Sequence, residues 1–418
     1  MICVVSATSA LPPLTASNIT VDGYTQPGAK ANTHALKAGD NEVIRIRLAG
    51  TNAGPVNGMT VFGSGETIMG LSITDFEPSF DNVHHAFAIF CQATGASVSV
   101  QGDFVGVQPN GVPAANLNGV DISGGCRGTI GGTSPSVANV LSANTFESVW
   151  MAGPGDIVQG NLIGTDPAGT QGISPTSNGI DLYATTGAVV GGSTASARNI
   201  ISGNSIGVVD AYSGSTGSTI QGNYIGTNAA GTAAVPNSAY GIWVAGSSTG
   251  ERVVANTIAN NGVGVFVGTG SCGGASGMPH VAISQNSIFS NGGAARCGPG
   301  GLGIDLAPQG TVNCSTAPPG PNDYTPCLVI TAATTTHVSG TACAACTVEI
   351  FRATNEADDQ AHGEGKTYLG TAVADGIGNW SITGLTLTSG QQITATATTP
   401  GSPGPAETSE FATNVAVS

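Results

Sequence analysis

A strand-like tetrad of the form Gly–apolar–X–apolar, with small variations, recurs along most of this 418-residue chain and restricts its fold more than any other feature. Successive copies begin 28 to 34 residues apart, with one shorter step of 21 residues. The copies are GMTV (58–61), AIFC (88–91), GVDI (119–122), SVWM (148–151), GIDL (179–182), GVVD (207–210), GIWV (241–244) and GVGV (262–265). Two more strand-like pieces lie between consecutive tetrads, separated by Gly and Asn. Three short strands per turn of about 30 residues predict a right-handed parallel β-helix.

The alternation of side chains along a strand predicts which tetrad residues face the core. In GIDL, Ile180 and Leu182 are expected to point inward and Asp181 outward. We call the outward positions of successive tetrads the outward column. The outward column reads Thr60, Phe90, Asp121, Trp150, Asp181, Val209, Trp243 and Gly264. Asparagines such as Asn144, Asn161 and Asn204 recur at predicted corners, where we expect them to stack into hydrogen-bonded ladders.

Composition narrows the classes of fold and partner. Charged residues make up only 8 % of the chain and Gly contributes 64 residues, which argues against helices. A net charge of −15 with ten Lys and Arg leaves no basic stripe for nucleic acid or an anionic membrane surface. No apolar run approaches ~20 residues, so we expect no membrane insertion.

The composition of the sequence changes near residue 308, where the repeat ends and a Pro-rich stretch begins. We predict that the β-helix covers residues 1–307 and that a Pro-rich linker covers residues 308–327. Alternating apolar runs then predict a small antiparallel β-sandwich at residues 328–418, with Trp380 in its core.

Nine cysteines are more consistent with structural disulfides than with zinc, because CAAC (343–346) has no second Cys pair of metal-ligand spacing. We predict that Cys3 is unpaired and that disulfides place the protein outside the cytosol. The start MICVVSATSALPPL lacks a basic region, so no export signal is recognised in this chain. The localisation predicted is therefore secreted or cell surface.

The segments ITVDGYTQPG (19–28), ARNIISGN (197–204) and GNWSITGL (378–385) resemble those of bacterial right-handed parallel β-helix repeat proteins. The resemblance covers nearly the whole chain. It implies a large secreted or surface protein with an immunoglobulin-like module at the C-terminal end. The wider β-helix superfamily includes enzymes and tailspikes that act on polysaccharides along one outer face. The catalytic patterns of polygalacturonases are not found, so no catalytic residue is carried over.

The outward column supports three functional hypotheses. In the first, Phe90, Trp150, Tyr183 and Trp243 bind a polysaccharide or cell-surface glycan, because aromatic faces stack on sugar rings and carboxylates accept hydroxyl hydrogen bonds. In the second, Asp121 and Asp181 are the catalytic pair of a glycoside hydrolase, with α-carbons ~10 Å apart across two rungs. In the third, the column only packs, and the chain is a ligand-free stalk of a larger adhesin. The sparse Arg content favours a neutral glycan.

Other signals are weaker. Loops ending at residues 118, 178 and 240 are expected to form one wall of a groove beside the outward column. No metal site or cofactor is predicted, although Glu356, Asp358 and Asp359 offer oxygen ligands to Ca²⁺. His84 and His85 are adjacent and are expected to point to opposite faces of a strand. The oligomeric state is not predicted.

Overall fold

The computed structural model describes residues 1–76, 86–174, 177–210, 214–268, 279–292, 302–308, 310, 312, 320–325, 328–354, 361–401 and 404–418. These residues form two compact units. Unit 1 comprises Met1–Val209 and Ile220–Asn237, and unit 2 comprises Asp210–Thr219 and Ser238–Ser418. Among them we find no helix with the length and apolar character needed to cross a bilayer.

Unit 1 is built from parallel strands that alternate between three sheets, here called A, B and C. Sheet A contains Cys3–Ser6, Ile46–Ala49, Leu71–Thr74, Phe104–Val105, Val140–Leu141, Leu162–Ile163, Ile200–Ile201 and Tyr224–Ile225. Sheet B contains Met59–Val61, Phe87–Cys91, Asn118–Ile122, Glu147–Met151, Asn178–Leu182 and Ile206–Asp210. Sheet C contains Thr20–Asp22, Glu66–Met69, Ser97–Gln101, Arg127–Gly131, Ile157–Gln159, Val189–Gly191 and Thr219–Gln221. Short 3₁₀ helices lie at Gly23–Thr25, Leu36–Ala38 and Pro135–Val137.

Unit 2 contains further parallel strands and two antiparallel sheets, D and E. The parallel strands are Tyr240–Val244, Val263–Val267, Ile304–Leu306, Thr249–Val254, His280–Ser284, Thr257–Ala259 and Ser287–Phe289. Sheet D contains Val329–Ala333, His337–Thr341 and Asn379–Thr383. Sheet E contains Gly365–Val373, Thr347–Ala353, Gln392–Thr398 and Val415–Ala416, and a 3₁₀ helix lies at Pro321–Tyr324. The predicted all-β class, a parallel β-helix with small antiparallel sheets, is confirmed.

The inward positions of each tetrad stack into columns of apolar side chains. Val120, Val149, Ile180 and Val208 occupy matched positions on four neighbouring strands of sheet B, and all are fully buried. Each rung therefore buries its apolar residues against the rungs above and below, which is how a solenoid builds a core without long-range packing.

The asparagine ladders predicted at the corners are confirmed. In unit 1 the side-chain Nδ2 of Asn139 donates to Oδ1 of Asn161 at 2.8 Å, Asn161 to Asn199 at 3.0 Å, and Asn199 to Asn223 at 3.0 Å. A second ladder includes the pairs Asn116–Asn144 and Asn204–Asn237. Unit 2 contains the pairs Asn256–Asn286 and Asn261–Asn291.

Glutamates from the antiparallel part of unit 2 close the end of its parallel strands. Glu364 accepts hydrogen bonds from the backbone and side chain of Asn291, and so ends an asparagine ladder. Glu410 accepts from the backbone N–H of Leu306, on the last parallel strand described. Glu349 accepts from the Ser284 hydroxyl and the Gln285 N–H. Terminal donors that have no further rung are thereby satisfied.

The prediction for the long loops is wrong. They pack on sheet A rather than beside the outward column. Val107, Ile173 and Ala229 from the three loops join a cluster whose base is a column of sheet A. That column contains Phe104, Val140, Leu162 and Ile200. The loops are drawn there because the outer face of sheet A is itself apolar, so covering it removes more hydrocarbon from water.

The described cysteines form two disulfides, Cys91–Cys126 and Cys343–Cys346, and Cys3 is free and exposed. These agree with the prediction of structural disulfides. Cys272, Cys297, Cys314 and Cys327 lie outside the described residues. Trp380 is buried in the core of the C-terminal sheets, as predicted. The domain boundaries at residues 307 and 328 and the immunoglobulin-like assignment stay predictions.

Candidate functional site

Unit 1 has a groove of about 690 Å³ on the outer side of sheet B. Most of its lining comes from four consecutive strands of that sheet and from the turns that follow them. The lining residues are Asn57, Phe87, Phe90, Gln92, Asn118, Asp121, Ser123, Gly124, Glu147, Trp150, Ala152 and Tyr183. Among the described residues, those that precede the strands at Asn118, Asn178 and Tyr240 in the three long loops are absent from this lining.

Strand register sets the order of side chains across the groove. Asp121 is paired with Phe90 on one neighbouring strand and with Trp150 on the other, and Asp181 follows Trp150. The predicted order of the outward column is therefore confirmed over these four strands. Because adjacent strands lie ~4.8 Å apart, the α-carbons of Phe90 and Trp150 are ~10 Å apart with Asp121 between them.

Two pairs of aromatic rings flank the carboxyl groups. The rings of Trp150 and Tyr183 stack with centroids 5.0 Å apart and an interplanar angle of 27°. Phe87 and Phe90 stack at 5.8 Å and 28°. Tyr183 is 38 % exposed, whereas Trp150 and Phe90 are half-buried. The groove therefore offers flat apolar surface on both sides of a polar centre.

Asp121 and Glu147 form that polar centre. Burial raises the pKa of Asp121 to about 7, and the charge of Asp156 adds to this rise. Burial also raises the pKa of Glu147 to about 7, and the charge of Asp121 adds to it. Both carboxyl groups therefore titrate near neutrality, so each is present in protonated and in ionised form at ordinary pH.

Asp181 differs from its predicted position in one respect. It occupies the outward column, but it is fully buried and is not part of the groove lining. Asn178 Nδ2 donates to its Oδ2 at 3.3 Å, while its Oδ1 has no hydrogen-bond partner among the described residues. Burial, and then the charge of Glu147, raise its pKa well above the usual range. The expectation that Asp181 faces solvent is wrong, because neighbouring side chains cover it.

Glu147 was missed in the sequence, although a signal was present. It stands three residues before Trp150, as Asn118 stands before Asp121 and Asn178 before Asp181. Glu147 is aligned with Asn178 in the sheet register. This position precedes the tetrad in NGVD, ESVW and NGID. Comparing the residue immediately before each tetrad, as well as the outward residue within it, would have identified Glu147.

Trp243 belongs to unit 2. Its Nε1 donates to the carbonyl oxygen of Gly268 at 2.9 Å, and its ring lies 5.7 Å from that of Tyr240. The structure thus brings Phe90, Trp150, Tyr183 and Asp121 to one groove and describes Trp243 separately. The predicted carbohydrate-binding and catalytic roles stay predictions. His84, His85, Glu356, Asp358 and Asp359 lie outside the described residues.

Comparisons with known proteins give only distant matches. No family model and no curated protein matches the chain. Among solved structures, a mutant of the periplasmic alginate epimerase AlgG matches with a TM-score of 0.31 and 12 % identity, over 72 % of this chain and 57 % of that one. The Dettilon tailspike protein gp208 matches with a TM-score of 0.32 and 11 % identity, over 94 % of this chain and 70 % of that one.

Proposed function

We propose that the protein is a secreted or cell-surface scaffold that binds polysaccharide in the groove of unit 1. The observation that carries this proposal is the order Phe90, Asp121, Trp150 across adjacent strands, with Tyr183 stacked on Trp150. A pyranose ring offers apolar C–H patches to aromatic faces and hydroxyl groups to carboxyl oxygens. The groove contains both kinds of partner in alternation, which suits an extended glycan that crosses the strands.

The charge of the groove favours a neutral glycan. Its lining includes two acidic side chains and, within the part of the chain that the structure describes, no Lys or Arg. A uronate would then meet carboxyl groups without a compensating cation. The two disulfides support an oxidising location, where polysaccharides are found.

The test is fluorescence titration of the full chain against neutral and acidic polysaccharides. We expect a neutral glycan to shift the Trp emission of the parent chain. Because Trp150→Ala removes the fluorophore of the groove, its affinity is measured by calorimetry, where we expect binding at least ~5-fold weaker, since a stacked aromatic contributes ~1–3 kcal/mol. Phe62→Ala is the matched control, because Phe62 is an exposed aromatic of unit 1 outside the groove. If both variants lose the same affinity for the glycan, the groove is not the binding site. If no glycan gives a response, the hypothesis of a ligand-free stalk is favoured instead.

A second candidate, a glycoside hydrolase, is favoured by the raised pKa values of Asp121 and Glu147 in one groove. One protonated carboxyl can act as general acid while the other, ionised, acts as base or nucleophile. Release of reducing ends in the same titrations would reveal this activity. Glu147→Gln would then lower turnover ~10²-fold or more. Comparison with Asp181→Asn would separate Glu147 from the pair predicted from the sequence.

A further inference from the structure

Three side chains from distant parts of unit 2 meet at one point. His280 begins a parallel strand, Asp323 lies in the 3₁₀ helix Pro321–Tyr324, and Glu407 precedes the last strand of sheet E. One ligand atom from each residue lies within 4.8 Å of the other two. His280 Nδ1 contacts Glu407 Oε1 directly. His280 and Glu407 are 127 residues apart in the sequence.

Hydrogen bonds between the sequence neighbours of these residues hold the three segments together. Asn322, next to Asp323, donates from its side chain to the carbonyl oxygens of Val281 and Thr408 at 3.0 and 2.8 Å. Val281 N–H in turn donates to Asn322 Oδ1 at 2.8 Å. Val281 follows His280 and Thr408 follows Glu407. Asn322 is fully buried, so it fixes the backbone behind each of the three side chains.

The backbone at this point adopts a conformation that non-glycine residues rarely use. Asn322 has φ 48° and ψ 37°, and Asp323 has φ 42° and ψ 26°, both in the left-handed region. Asn and Asp tolerate this region better than other residues, yet two in succession are uncommon. The bend allows Asn322 to turn inward while Asp323 stays at the surface beside His280 and Glu407.

We propose that His280, Asp323 and Glu407 form a binding site for a zinc-like divalent cation. A set of one imidazole nitrogen and two carboxylates suits zinc and similar transition metals, whereas Ca²⁺ and Mg²⁺ take oxygen ligands alone. Asp323 is exposed, so solvent can reach the cluster. The ion joins a strand of the parallel part to two segments of the C-terminal part of the same unit, and it stabilises the folded form that presents all three ligands.

The competing explanation is an ion pair between His280 and Glu407 with Asp323 as a bystander. The two explanations differ in the effect of Asp323. Asp323→Asn removes one metal ligand at the surface but leaves the His280–Glu407 contact and the buried Asn322 unchanged. It is therefore the informative variant. His280→Gln removes a ligand directly and tests the imidazole.

The experiment is equilibrium dialysis of the metal-stripped full chain against Zn²⁺, with thermal unfolding of the same samples. We expect one zinc equivalent to bind and to raise Tm, and both variants to bind at least ~10-fold more weakly at that equivalent. His337→Gln, a half-buried histidine of the same unit, is the control and should match the parent chain. Retention of Zn²⁺ against an about 100-fold excess of Ca²⁺ is expected from the imidazole ligand.

Two results would overturn the proposal. One is equal zinc affinity in the parent chain and in Asp323→Asn, which would leave only an ion pair or a site elsewhere. The other is displacement of Zn²⁺ by Ca²⁺ at similar concentration. If His280→Gln fails to fold, Asp323→Asn alone decides the matter, since its side chain is exposed and supports no packing.

Discussion

At the scale of single residues, Asp103 precedes Asn139 in the ladder of unit 1 and places a carboxyl group where the following rungs have an amide. The side-chain Nδ2 of Asn139 donates to the carbonyl oxygen of Val100 at 2.9 Å. Asn161 and Asn199 make the equivalent hydrogen bond to a backbone carbonyl on their own rungs. Asp103 accepts from Leu71 N–H at 2.8 Å, while its other oxygen has no partner among the described residues. Burial raises its pKa to about 8.

Asp103→Asn is therefore expected to stabilise unit 1. The amide supplies the donor that a ladder position uses and removes a buried carboxyl, for a gain of ~1–3 kcal/mol in the free energy of unfolding at pH 8. At pH 5 the native carboxyl is protonated and can itself donate, so the gain should be smaller. Urea unfolding at both pH values measures the difference. An equal gain at pH 5 and pH 8 would show that ionisation of Asp103 is not involved.

The sequence predicted which side chains share the outer face of sheet B, but it did not predict how deeply each of them is buried. Phe90, Asp121 and Trp150 were found because the period-2 alternation of a strand fixes which side chains share a face. The burial of Asp181 was not predictable, since it depends on side chains of neighbouring rungs rather than on its own strand. Glu147 was not predicted because it lies outside the tetrad, three residues before the outward residue Trp150.

At the scale of elements, the asparagine ladder is a repeated element in which an inner member such as Asn199 has ladder partners on both sides. Asn199 Oδ1 accepts from the backbone and side chain of Asn161, and its Nδ2 donates to Val158 and Asn223. Asn199→Ala leaves several buried groups unsatisfied, so we expect a loss of about 3 kcal/mol in the free energy of unfolding.

Denaturant unfolding with a matched control measures this loss. Asn110 is exposed in a loop, and its Oδ1 accepts from the nearby Val112 N–H, so Asn110→Ala should change stability by less than ~0.5 kcal/mol. A loss of that small size in Asn199→Ala would mean that water replaces the missing amide and that the ladder is not needed for stability.

Strands and corners were predictable because the same pattern of apolar, Gly and Asn residues recurs in every rung. The course of the long loops was not. Their Gly, Asn and Pro content indicated turns, but it did not say which face they would cover. That choice depended on the apolar outer side of sheet A, formed by Phe104 and its column mates, whose strands are only two residues long in most rungs.

At the scale of the whole molecule, the chain was predictable where interactions are local and repeated, and unpredictable where they are distant and unique. The β-helix follows from a period of about 30 residues. The cluster of His280, Asp323 and Glu407 follows no spacing, because its members come from three separate segments. The capping glutamates were missed for the same reason, as Glu364 and Asn291 are 73 residues apart.

The whole chain should become less stable as the pH rises from 5 to 8. Burial raises the pKa of many carboxyl groups in both units above the value of ~4 expected in the unfolded chain. The values are about 7 for Asp40, Asp121, Glu147 and Asp305, about 8 for Asp103 and Glu251, and about 6 for Asp156 and Asp210. Between pH ~4 and these values the folded chain binds more protons than the unfolded chain.

The sign follows from proton linkage. Each group protonated only in the folded state lowers the free energy of unfolding by ~1.4 kcal/mol per pH unit, so its contribution is complete below pH ~4 and is lost as the pH passes the folded-state pKa. Backbone hydrogen bonds lower the pKa of Asp375, so this carboxyl group is ionised in the folded and the unfolded chain above pH ~5 and does not affect the trend. Thermal unfolding at constant ionic strength should give a higher Tm at pH 5 than at pH 8, and unfolding in weak buffer at pH 6 should release protons. A Tm that rises with pH would mean that these carboxyl groups are ionised in the folded chain and are solvated by water within the grooves.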